Sequence, residues 1–223
     1  MKVIVFLLLF VNIFHFNQTK ENMTFFRCGT DDNYKAPKPA THIIKNNKDN
    51  RRLNDGEFKD FHIYLDLINI KNDIKKYHLE EYENLFINSL NKAVKTLEAL
   101  LKVKKIDNYG FYDEDITNIL INDWNKTMIG TNAIGGMSSL GIDLIIFGRF
   151  DDEMDNSTLA SAGPSYIVPN TGQPLVGVVN INTRVNYSKI NSEEYFQSII
   201  IHEFTHILGF SNSFFEDFFF LSK

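Results

Sequence analysis

The chain has 223 residues, enough for one sizeable domain or two small ones around a cleft. Hydrophobic residues make up 43% of it, which excludes a wholly disordered chain. The net charge of −5 excludes the basic balance of a nucleic-acid binder, so no nucleic-acid partner is expected.

Met1 and Lys2 are followed by an apolar stretch, Val3 to Phe14, broken only by Asn12. A charged start and an apolar run of this length form a signal-peptide pattern, shorter than the ~20 apolar residues of a membrane-spanning helix. Residues 1–20 are read as a secretory signal, cleaved or kept as an anchor, and the protein is expected at the cell surface or secreted. Five glycosylation sequons agree with export: Asn17-Gln18-Thr19, Asn22-Met23-Thr24, Asn125-Lys126-Thr127, Asn156-Ser157-Thr158 and Asn186-Tyr187-Ser188. There is one cysteine, Cys28, which in an oxidising compartment is either free for a reason or separated from its partner.

Residues 21–57 are polar and irregular, with Pro37, Pro39, Asn46-Asn47 and Asp55-Gly56, and read as a pro-segment or linker. From Phe61 to Ile70, alternation of Phe61, Ile63, Leu65 and Leu67 predicts a strand. Tyr82, Leu85, Phe86, Leu90, Ala93, Val94, Leu97 and Leu101 recur at spacings of three and four and predict a core helix over 80–101. The segment 115–124 is ambiguous, and 130–141 is a Gly- and Ser-rich loop without a phosphate-binding fingerprint. Apolar runs at 142–147, 166–168 and 175–181 predict strands, the last two joined as a hairpin through Pro169-Asn170-Thr171-Gly172. Asn191, with Glu194 three residues on, predicts the capped start of a helix over 192–208, and Gly209 its stop.

That last helix holds His202-Glu203-Phe204-Thr205-His206. Two imidazoles four residues apart share one helix face and reach a single ion, and zinc accepts neutral imidazole nitrogen. Glu203 sits about 100° round the helix from His202, flanking the ion without ligating it, where a carboxylate can take a proton from a metal-activated water. By chance, His and Glu at this chain's frequencies form such a motif in about one sequence per hundred. Ile199, Ile200, Ile201, Phe204, Ile207 and Leu208 make the helix apolar nearly all round, so it is expected to be buried. Polar groups buried there need partners, and one Zn2+ ion held by His202 and His206 supplies one.

In the zinc peptidases called metzincins the motif continues His-Glu-x-x-His-x-x-Gly-x-x-His, the Gly letting the chain turn so that a third ligand approaches. Gly209 holds that place here, and Asn212 stands where the third His is expected. The segment His202 to Ser211 resembles the active-site helix of leishmanolysin-type metallopeptidases, in which a long insertion follows the Gly and the third His lies well downstream. Pro174-Leu175-Val176-Gly177-Val178-Val179-Asn180-Ile181-Asn182 resembles the strand before that helix. Arg27-Cys28-Gly29-Thr30-Asp31 resembles, more loosely, a propeptide motif with a single Cys. The resemblance implies an endopeptidase of broad sequence tolerance, exported as a latent zymogen and acting on peptide or protein substrates. Cys28 is then a candidate latency switch, because a thiolate is a strong zinc ligand; pairing with a cysteine outside the chain is the other reading.

No His follows His206. The chain is therefore expected to be the N-terminal part of a longer protein, its third ligand lying past Lys223; Glu216 and Asp217 are carboxylate alternatives. Membrane association is expected only through a missing C-terminus or an uncleaved signal. The expected fold class is α+β: a zincin-like domain over 58–223, with a mixed twisted sheet packed on two long helices, the second carrying the zinc motif. The competing reading is a non-catalytic secreted or cell-surface pseudo-peptidase with a binding or cell-adhesion role.

Overall fold

The structure is a computed structural model and describes residues 58–104, 141–168, 172–190 and 192–210, with short strands at 38–39, 41–42 and 109–110. In chain order the elements are β1 (Lys38–Pro39), β2 (Thr41–His42), β3 (Phe58–Asp60), β4 (Ile63–Asp66), α1 (Ile68–Lys76), α2 (Glu83–Leu100), β5 (Lys102–Lys104), β6 (Tyr109–Gly110), β7 (Leu144–Asp151), β8 (Ala160–Ile167), β9 (Pro174–Asn182) and α3 (Glu193–Ile207). Short 3-10 turns stand at Glu80–Tyr82 and Tyr187–Lys189.

Five strands form the main sheet in the order β1-β8-β9-β7-β4. β4, β7 and β9 run parallel, β8 is antiparallel to β9, and β1 is parallel to β8. The sheet is mixed, as expected. The 166–181 hairpin is present, closed by Gly172 N–H donating to the Val168 carbonyl at 2.9 Å. Two small antiparallel pairs, β2 with β6 and β3 with β5, lie outside the main sheet.

The expected strand at 61–70 is only partly formed. Phe61 is buried in the core and Ile63, Leu65 and Leu67 pack against it, but the strand ends at Asp66. The carboxylate of Asp66 accepts from the Ile68 N–H at 3.0 Å and turns the chain into α1, where Ile70 and Ile74 are buried one turn apart. β7 and β8 are longer than their apolar runs, because pairing with β9 recruits Gly148-Arg149-Phe150-Asp151 and Ala160 to Ser165. Pro164 cannot donate to a ladder, and the register slips between it and Tyr166.

α2 buries the expected stripe, Phe86, Leu90, Ala93, Val94 and Leu97. Phe86 lies at the centre of an aromatic cluster, with ring centroids 5.0 Å from Phe150, 4.8 Å from Tyr187 and 5.7 Å from Phe196. The cluster ties β7, α2 and α3 together; such edge contacts add about 0.5–1.5 kcal/mol each beyond their buried area. The Tyr187 hydroxyl donates to the Asn182 carbonyl, and burial pushes its pKa upward, so it stays protonated. Across the helix pair, Lys92 bridges to Glu193.

The signal segment, Cys28, the 115–124 and 130–140 stretches, Asn191, Asn212, Glu216 and Asp217 lie outside the described residues. Among the described residues no helix is long and apolar enough to cross a membrane.

Candidate metal centre

α3 begins one residue later than the Asn191 reading. Ser192 is the N-cap, its hydroxyl accepting from the Tyr195 N–H at 3.1 Å, and Glu194 falls in the first turn instead of the capping-box position. A hydrogen bond from its own backbone N–H, and then the Ser192 hydroxyl, hold the Glu194 carboxyl below its usual pKa. Glu193 and Glu194 also suit the positive end of the helix dipole. Ser192→Ala is expected to cost about 1 kcal/mol. In a domain of this size that lowers Tm by roughly 2–4 °C, readable by thermal unfolding.

Phe196, Ile200, Phe204 and Ile207 are all fully buried and form the stripe that α3 presents to α2 and the sheet. At about 100° per residue, Glu203 borders this stripe, with His206 and then His202 further round. Packing therefore fixes the helix rotation, and the rotation fixes where the three polar groups stand. Their exposure follows: Glu203 is 1% exposed and His206 7%, while His202 is half-buried.

The depth of the helix is set by Gly177 in β9. A Cβ built there would lie 2.3 Å from Ile207 Cγ2, so the helix seats directly on bare strand backbone next to His206.

Among the described residues, His202, Glu203 and His206 form a potential metal-ligating group, their ligand atoms all within 4.8 Å of one another. The Nε2 atoms of His202 and His206 approach to 3.1 Å, with the rings nearly perpendicular at 88°. Two nitrogens held ~2.0–2.1 Å from a tetrahedral zinc would lie about 3.3 Å apart, so the pair is already spaced for that ion. His206 Nδ1 lies 2.7 Å from the Phe210 carbonyl oxygen. A carbonyl only accepts, so Nδ1 carries a proton, and the tautomer this contact selects is the one whose Nε2 lone pair faces His202 and can bind metal. Both imidazoles also stand in the second half of the helix, toward the end that favours a cation.

The Phe210 carbonyl reaches His206 because the chain reverses at Gly209. That residue has φ +92°, its N–H donates to the His206 carbonyl, and the Phe210 N–H donates to that of Thr205, both at 3.0 Å. Gly209 is legible in the sequence as a helix stop and as the turn of the metzincin pattern, whereas the orienting contact comes from backbone and leaves no side-chain signal. Gly209→Ala is expected to strain the turn by about 1–3 kcal/mol. Loosening the Phe210 contact should weaken zinc binding roughly 10–100-fold, measured by competition with a chromophoric chelator. Unchanged affinity would remove the orienting role.

No curated protein matches the chain significantly. The sequence profile described as leishmanolysin matches residues 79–223, from the turn before α2 through the His-Glu-x-x-His helix. That family comprises zinc-dependent metalloproteases acting on peptides or proteins, typically at the cell surface or secreted. With the match covering well over half its length, the chain belongs to the leishmanolysin family of metallopeptidases.

Proposed function

We propose that the protein is an exported zinc endopeptidase in which His202 and His206 hold one zinc ion and Glu203 is the general base. The observation that supports this best is the 3.1 Å approach of two imidazole nitrogens on one helical turn, with a buried carboxylate beside them. Residues 1–20 serve as the signal, 21–57 as the pro-segment and 58 onward as the catalytic domain, with a third ligand from outside the described residues. When bound, the ion supplies Lewis-acid polarisation of the scissile carbonyl and acidifies water. The Phe210 carbonyl fixes the His206 tautomer, and the apolar stripe of α3 holds both rings in register. The Glu203 carboxylate accepts a proton from the attacking water and returns it to the departing amide nitrogen.

The test is hydrolysis of an internally quenched peptide library by the native gene product after removal of its pro-segment. Cleavage is expected within the interior of the peptides, to stop with a zinc chelator and to return on adding zinc. A zinc-loaded protein without cleavage would overturn the peptidase reading in favour of a binding role.

A further inference from the structure

The metal centre makes no use of the sequons, and one of them occupies a surface corner suited to a large attachment. Asn156-Ser157-Thr158 lies in the turn joining β7 to β8. The turn is anchored from both sides of Asn156. Asp155 Oδ1 accepts from the N–H groups of Ser157 at 2.7 Å and Thr158 at 3.0 Å, and Asp155 Oδ2 accepts from the Thr158 hydroxyl at 3.2 Å. From β9, the Asn182 amide donates to the carbonyls of Asp155 and Thr158, both at 2.6 Å. Met154, Thr158 and Leu159 are buried, while Asn156 is exposed and its amide has no hydrogen bond among the described residues.

At the second described sequon the asparagine is exposed as well, but its side-chain oxygen is already engaged. The Asn186 side-chain oxygen accepts from the Ser188 N–H at 3.1 Å and from its hydroxyl at 2.7 Å. Its central residue, Tyr187, is locked in the aromatic core.

We propose that Asn156 carries an N-linked oligosaccharide, an inference that rests on the export of the chain. Asn156 Nδ2 bonds to C1 of the first sugar of a lipid-diphosphate-linked oligosaccharide. The C1–O bond breaks, the lipid diphosphate leaves with the electron pair, and Nδ2 gives up one proton to a base of the transferase. The attachment stands well away from the metal centre. Pro164 of β8 pairs with Gly177, where α3 seats, whereas Ala160 pairs with Ile181. Four residues of strand separate the two levels by about 13 Å, and Asn156 lies in the turn that precedes Ala160.

The experiment expresses the full chain in insect cells behind its own N-terminus and, in parallel, behind a heterologous signal sequence. Chain inside the secretory lumen is identified by protease protection. Peptide N-glycosidase digestion in 18O water then marks each formerly glycosylated Asn as heavy Asp. The expected result is a mark at Asn156 in lumenal chain from both constructions. Asn156→Gln should lose one glycan by gel mobility and keep the zinc content of the parent. A mark at Asn156 only behind the heterologous signal supports the site and refutes export by the chain's own N-terminus. Lumenal chain with Asn156 unmarked, whether or not Asn186 is marked, overturns the proposal.

Discussion

Replacing Glu203 by Gln should abolish peptide cleavage while leaving zinc in place. Glutamine keeps the size of a side chain that is 1% exposed, so α3 should stay seated, but it cannot take up a proton. General-base catalysis contributes typically 10²–10⁴-fold, so kcat should fall by that factor, or roughly 3–5 kcal/mol of barrier, with little change in KM. Zinc content by mass spectrometry separates this from loss of the metal. His206→Ala supplies the contrast, since removing the ring that the Phe210 carbonyl orients should cost metal and activity together. Were Glu203→Gln to shed its zinc, the residue would be part of the ligand set and another group would have to serve as base.

Gly177→Ala is expected to be the most damaging single-methyl change in the sheet. The added carbon would meet Ile207 Cγ2 at 2.3 Å and its Cγ1 and Cδ1 at 2.9 Å. Ile207 is fully buried and β-branched, hence stiff at χ1, so it cannot simply swing away. Overpacking of this kind costs about 1–3 kcal/mol, and the relief available is to lift the end of α3 that bears His206. The variant should therefore lose both thermal stability and zinc affinity. A double-mutant cycle with Ile207→Ala, which removes the obstructing atoms, should be clearly sub-additive, with a coupling of about 0.5–3 kcal/mol. Additive losses would mean that the strand and helix do not meet there.

The parts of the molecule legible in the sequence are those whose signal is local. α2 is readable because its apolar residues return every three or four positions on one face, and the His202–His206 pairing because both imidazoles lie on one helical turn. α1 was not readable. It is short, rich in Asn and Lys, and commits only Ile70 and Ile74 to the core, too few to mark a helical face apart from the alternation before it. The first half of β8, Ala160-Ser161-Ala162-Gly163-Pro164, has the composition of a loop and becomes strand because β9 pairs with it. The Gly177 seat and the Phe210 carbonyl were invisible for a common reason: each acts through backbone approached from elsewhere in the fold. Strand order was likewise beyond reach, since β4 and β7 are neighbours in space with α1 and α2, among the described residues, between them in sequence.

The pairing of β4 with β7 also bears on the order in which the protein assembles. Hydrogen bonds between His62 and Asp143 at the mouth of that pair close a loop of 81 residues, whereas the two imidazoles are only four residues apart. Distant parallel pairing slows folding, while a single helical turn forms in microseconds or less. In a chain refolding from the fully unfolded state, the helical turn that carries both imidazoles can thus form before β4 finds β7. On the proposed zinc binding, metal captured at that stage would favour helix formation, so zinc supplied during refolding should speed recovery of the folded chain.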